Sequence, residues 1–200
     1  MRGPIDISTE NRQLGPAGAK AFRIGLVLAT AGAAGAAVSG ALAGADRLLW
    51  SYLVNYVFFL SLGLGALFFV LVNHLTHAGW SVVVRRIAEA IAANLPYLGL
   101  LVLPVLFGVG TLYRWTHPAA NDTVLLNKAP YLNVPFFTVR LAIYFLIWGA
   151  LGRWYFKSSV GQDTSRDVAV TLRMEKLAAP GTVLFALTIT FGAFDLLMSL

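Results

Sequence analysis

The chain has 200 residues, of which 58% are hydrophobic and 12% charged, with a formal net charge of +6 and no cysteine. Its mean hydropathy of +0.73 lies far from that of an ordinary soluble domain and marks an integral membrane protein whose surroundings are lipid. The missing cysteines exclude disulfides, zinc–thiolate sites and Cys-ligated iron–sulfur clusters within the chain, and basic residues scattered through short loops argue against a nucleic-acid partner.

Residues 1–20 are polar, with Pro4, Pro16 and mixed charge, and read as a flexible cytoplasmic tail ahead of a transmembrane helix bundle over 21–200. The first span, 24–43, is built mostly from Ala and Gly. Gly32, Ala36, Gly40 and Gly44 recur every fourth residue, the small-residue pattern that lets helices approach closely in lipid. A basic start, an apolar run and Ala41-Leu42-Ala43 also have the outline of a secretory signal, but the long polar lead and spanning length fit a retained helix better.

The second span, 50–72, contains no Asp, Glu, Lys, Arg or His, and about 20 such residues cross the roughly 30 Å hydrocarbon core. Trp50 and Tyr52 suit one interface, while His74, His77, Trp80, Arg85 and Arg86 gather past the other. Helical spacing over 81–93 leads into a third span, 87–112, in which Pro96 and Pro104 predict kinks. Tyr113, Trp115 and His117 mark an interface, and 118–131 reads as a polar loop. Pro135 opens a fourth span, 135–155, at a first-turn position. The stretch 158–180 reads as the longest internal polar loop, and 181–200 is a fifth apolar run, broken only by Asp195. The chain stops inside that run, so the bundle is expected to be incomplete at its carboxyl end.

With five spans, one side collects Arg2, Arg12, Lys20, Arg23, Arg85, Arg86, Arg153, Lys157, Arg166, Arg173 and Lys176; the other collects Arg47, Arg114 and Lys128. The positive-inside bias predicts a cytoplasmic amino terminus.

Ionisable groups at membrane depth cost about 2.5–3.5 kcal/mol each, which makes them functional hypotheses. Arg140 lies roughly 8 Å into the fourth span and Asp195 roughly 21 Å along the fifth, at 1.5 Å per residue. Both then fall in the outer third, and Asn55 on the second span reaches a similar depth. A cluster of the three is expected as a proton-relay or quinone-head-group site, or as a structural ion pair. His74, His77 and Glu89 form a second group at the cytoplasmic end, as a proton-entry site or as ordinary interfacial polar residues. No catalytic triad, nucleotide fingerprint or metal site is expected: Gly63-Leu64-Gly65 is followed by Phe68 where a third glycine is needed, and a haem in a bundle needs histidines deeper and on facing helices.

The stretches WSYLVNYVFFLSLGLGALFFVLVNHLTHAGWSVVVRR, LYRWTHP, KAPYLNVPFFTVRLAIYFLIW, the GQD at residues 161–163, and ALTITFGAFDLLMSL together resemble the ActF-type membrane subunits of alternative complex III, a quinol:cytochrome c oxidoreductase, within the wider NrfD and polysulfide-reductase membrane-subunit family. The resemblance covers about residues 50–200. It implies an all-α, polytopic transmembrane bundle that is half of a subunit of about ten helices, in the bacterial cytoplasmic membrane. It also implies a sister NrfD-like membrane subunit and periplasmic iron–sulfur and c-type cytochrome subunits as partners. Haem and iron–sulfur centres then belong to those partners, and this chain handles quinone, conducts protons, or anchors the redox subunits. The alternative is half of a secondary transporter or channel that uses the Asp195 and Arg140 pair.

Overall fold

The computed structural model describes residues 15–118, 122–165 and 167–200, so residues 1–14 of the expected tail, with Arg2 and Arg12, and also Asn121 and Arg166, lie outside the described residues. Among the described residues every regular element is helical: α1 (Gly15–Ala43), α2 (Ala45–Leu75), α3 (Val82–Ala92), α4 (Leu95–Leu100), α5 (Leu103–Phe107), α6 (Val109–Leu112), a 3-10 turn, α7 (Thr123–Lys128), α8 (Val134–Ser165) and α9 (Val168–Ala193), followed by a π-helical turn over Phe194–Met198. Five of the resulting helical stretches are long and apolar enough to cross a membrane. The chain is an all-α, multi-pass membrane protein, because helices satisfy every backbone polar group where water is absent.

The chain divides into two compact units, Met1–Leu48 and Leu49–Leu200. In the first, α1 already includes residues 15–20, so the expected polar tail is helical over its last six residues. It ends at Gly44, whose φ of +91° is a conformation that favours glycine. Within the same unit the Leu48 side chain fills the space beside Gly40, where an added Cβ would stand 2.7 Å from Leu48 Cδ2.

In the second unit α2 buries Leu53, Tyr56, Leu60, Leu64, Leu67 and Leu71, spaced by three or four residues on one face. That face meets the proline-broken third span: Gly63 approaches Leu95 and Leu98, and Tyr56 and Tyr52 donate to the Leu98 and Leu101 carbonyls at 3.1 and 2.5 Å. The third span is segmented as its prolines predict, with Pro96 and Pro104 each in the first turn of α4 and α5, where a missing N–H costs nothing. Helix α8 packs on α3 and α4 through Gly149 beneath Pro96 and Gly152 beneath the Ala92 carbonyl.

The expected loop at 158–180 is a correction. Helix α8 runs on to Ser165 and α9 starts at Val168, with Pro180 inside α9. The polar composition marks helix ends that extend past the apolar layer. The Asp167 side chain accepts from the Ala169 N–H at 2.8 Å and caps α9, so a short turn replaces the loop. Helices α8 and α9 then run antiparallel, joined by Tyr155 Oη to the Met174 carbonyl at 3.0 Å and Trp148 Nε1 to Thr188 Oγ1 at 2.8 Å. Val54, Phe58, Leu62, Leu146, Val183 and Leu187 are exposed and suit contact with lipid.

Candidate functional site

Arg140, Tyr144 and Trp148 succeed one another at intervals of four along α8 and therefore share a face. That face meets the end of α9, where the helix widens into the π-turn carrying Asp195; such turns are frequent at functional sites. Asp195 is fully buried and Arg140 only 7% exposed. Arg140 grips the carboxylate with a fork, Nε donating to Oδ2 at 2.8 Å and Nη2 to Oδ1 at 2.7 Å. Its Nη1 donates to the Tyr131 carbonyl at 2.9 Å. Tyr144 Oη donates to Asp195 Oδ2, also at 2.9 Å. The Tyr131 and Phe136 rings cover the guanidinium, with centroids 3.9 and 4.5 Å from Cζ.

Each charge is thus matched and hydrogen-bonded, the condition under which an ion pair survives away from water. Tyr113 supports the same turn from the third span's end, donating to the Leu196 carbonyl at 3.2 Å. Burial, followed by the nearby Asp195 carboxylate, pushes the phenols of Tyr113 and Tyr131 above their ordinary range. Both phenols remain protonated at neutral pH.

An apolar groove of about 550 Å³ lies between α2 and α9 and reaches this site. Gly192 and Leu196 line its end beside Asp195. An added Cβ on Gly192 would stand 3.1 Å from the Trp148 ring and 3.7 Å from Tyr144 Cδ2, so the two aromatic residues of the α8 face close against the groove.

Of the residues singled out in the sequence, the structure brings Arg140 and Asp195 together and leaves Asn55 apart. Asn55 is exposed and its amide donates to the Ser51 carbonyl of its own helix at 2.8 Å. The three-residue cluster is therefore corrected to a pair with Tyr144 and Tyr131 in place of Asn55. The rotation of Asn55 about α2 turns it outward.

The second group is at the opposite end of the bundle, and it too is divided. His74 is 2% exposed and stacks on Tyr155 at 5.1 Å between centroids. Glu89 is fully buried, with Arg85 Nε 3.3 Å from Oε1. His77 is exposed in the turn that closes α2, at φ +53°, and its Nδ1 lies 3.1 Å from Glu175 Oε1. His74 and His77 consequently do not act as a pair, although their spacing of three placed them on one helix face.

Sequence reasoning missed Tyr144, Tyr131 and Tyr113 at the Arg140 end, and Arg85 and Ser159 at the Glu89 end. Tyr144 had a signal, its spacing of four from Arg140. Tyr131 contributes through a backbone carbonyl and a ring in a loop, which no spacing announces. Comparison with protein-family models and with curated proteins finds no match for this chain.

Proposed function

We propose that this chain is an integral membrane subunit of a respiratory quinol:cytochrome c oxidoreductase complex, similar to the ActF-type subunits of alternative complex III. In this reading it sits in the bacterial cytoplasmic membrane with its amino terminus on the cytoplasmic side. It handles quinone or conducts protons, and it anchors the periplasmic iron–sulfur and c-type cytochrome subunits beside a sister membrane subunit.

The observation that carries the reading is the buried Arg140–Asp195 fork with the Tyr144 hydroxyl on the same carboxylate. Intramembrane charges of this kind are costly and belong to ion or proton pathways and ligand sites. A group that competes for either partner rearranges the fork, because each charge relies on the other for its hydrogen bonds. The groove ending at Gly192 and Leu196 is apolar and of a size that suits an isoprenoid tail. A bound quinol would supply electrons and protons; the chain's own part is to seat the tail, exclude water and present the Arg140–Asp195 pair beside the groove's end.

Purification of the tagged protein from its native membranes in mild detergent tests the proposal. Haem absorbance and quinol-dependent cytochrome c reduction are expected to co-purify. Recovery of the chain without haem-bearing partners would overturn the respiratory reading and favour the transporter half. Orientation is read separately: the chain has no native cysteine, so Gly79→Cys should resist an impermeant maleimide in intact cells and Thr123→Cys should react.

A further inference from the structure

Helices α3 and α8 enclose a second group of charged side chains, at the end of the bundle away from Asp195. Among the described residues, neither carboxylate oxygen of Glu89 has a hydrogen-bond partner of good geometry, although the residue is fully buried and the Ser159 side chain is within reach. Arg85 Nε stands 3.3 Å from Oε1, an ion-pair distance without hydrogen-bond alignment. His74 Nε2 is a second buried atom without a hydrogen-bond partner among the described residues. Arg85 acts electrostatically on both Glu89 and His74. Natural structures rarely leave such groups unmatched, and each exception asks for a cause.

A cause is visible next to them. Arg85 and Ser159 form part of the wall of a pocket of about 290 Å³, completed by Arg86, Gln162, Asp163, Val168 and Thr171. Arg86 Nη2 reaches Asp163 Oδ1 at 2.6 Å and the Ser159 carbonyl at 3.2 Å. The Asp163 side chain is 55% exposed. Ser159 is 5% exposed and lies against Glu89. The pocket therefore runs from an exposed ion pair to the serine that adjoins the buried carboxylate, and it is polar and roomy enough for several waters.

We propose that Glu89 is a proton-binding site loaded from water through this pocket, with the Arg86–Asp163 pair at its mouth. A hydronium ion gives its proton to a Glu89 oxygen and leaves as water; release is the reverse. The groups facing Glu89 are Arg85 and Arg86 of its own helix and Ser159 and Asp163 of α8, while His74 of α2 faces Arg85 and Glu175 of α9. The inference deepens the proton-conducting part of the proposed function. It is read without quinol or partner subunits, so its failure leaves the respiratory reading standing, and failure of that reading leaves this one standing.

The test is infrared difference spectroscopy on the full chain in liposomes. Between roughly pH 5 and pH 9 a protonated-carboxyl band should appear as pH falls, shift on transfer to heavy water, and vanish in Glu89→Gln. Ser159→Leu, which fills the inner wall, should slow its deuterium exchange by about an order of magnitude, and Thr171→Leu on the facing wall should do the same. Circular dichroism identifies any variant that fails to fold, and the other then decides. A folded chain with no Glu89 band in that range overturns the proposal, as does exchange at the wild-type rate in a folded wall variant.

Discussion

Trp148 and Thr188 meet at 2.8 Å about two helical turns from where Arg140 meets Asp195, and both pairs join α8 to α9. Eight residues along α8 correspond to seven along α9 in the opposite direction, the register of antiparallel neighbours. The Trp148–Thr188 contact and the ion pair are therefore one alignment read at two heights along the helices.

Thr188→Val removes the acceptor of a buried indole N–H while keeping the side chain's shape. An unsatisfied buried donor costs about 1–3 kcal/mol, so thermal unfolding in detergent should move down accordingly. Because the contact shares its register with the fork, an added cross-link between α8 and α9 should reduce the loss. An unchanged midpoint would mean that the ion pair alone aligns the two helices.

Removing one partner of the fork should cost far more than removing both. Arg140→Gln leaves the Asp195 carboxylate buried with Tyr144 as its remaining donor, and a stranded buried charge costs about 3–5 kcal/mol. The double variant Arg140→Met with Asp195→Leu removes both charges and should regain at least half of that loss. Unfolding midpoints of the two single variants and the double form a cycle that measures the coupling. Stability regained without quinol turnover would separate the pair's chemical role from its structural one.

The sequence made the ion pair legible because depth is one-dimensional: each residue advances a helix by about 1.5 Å, and two charged residues counted from opposite ends reach the same layer. Rotation about the helix axis was not legible in the same way. Asn55 sits outside the arc defined by Leu53, Tyr56 and Leu60, which are all buried. Polarity over 158–180 misled for a related reason, since a helix leaving the hydrocarbon layer becomes polar without ceasing to be helical. The signal that corrects it is local: Asp167 caps the backbone two residues ahead, which requires a helix start at that point. The Glu89 pocket depends on α3 meeting α8 across more than 70 residues of chain, a distance of 73 between Arg86 and Ser159, and no short pattern encodes it.

The mouth of that pocket should matter little to stability. Arg86 and Asp163 have side chains 36% and 55% exposed, and exposed ion pairs contribute about 0–1 kcal/mol. Asp163→Asn is expected to leave the unfolding midpoint nearly unchanged. A large loss would show that the pair acts as a structural clamp between α3 and α8.

Two glycines of the bundle should respond in opposite directions to the same substitution. At Gly152 an added Cβ would stand 2.5 Å from the Ala92 carbonyl oxygen and 2.9 Å from its carbon. Those are backbone atoms of the partner helix and cannot turn aside as a side-chain end can. Gly152→Ala must therefore separate α8 from α3, at a cost of about 1–3 kcal/mol for overpacking. At Gly65 nothing lies within 4 Å of the added atom, and replacing an exposed mid-helix glycine by alanine gains about 0.5–1 kcal/mol from helix propensity. Paired thermal melts of the two variants check the contrast. If Gly152→Ala matched Gly65→Ala, α3 and α8 would not be in the close backbone contact that holds Gly152 beneath the Ala92 carbonyl.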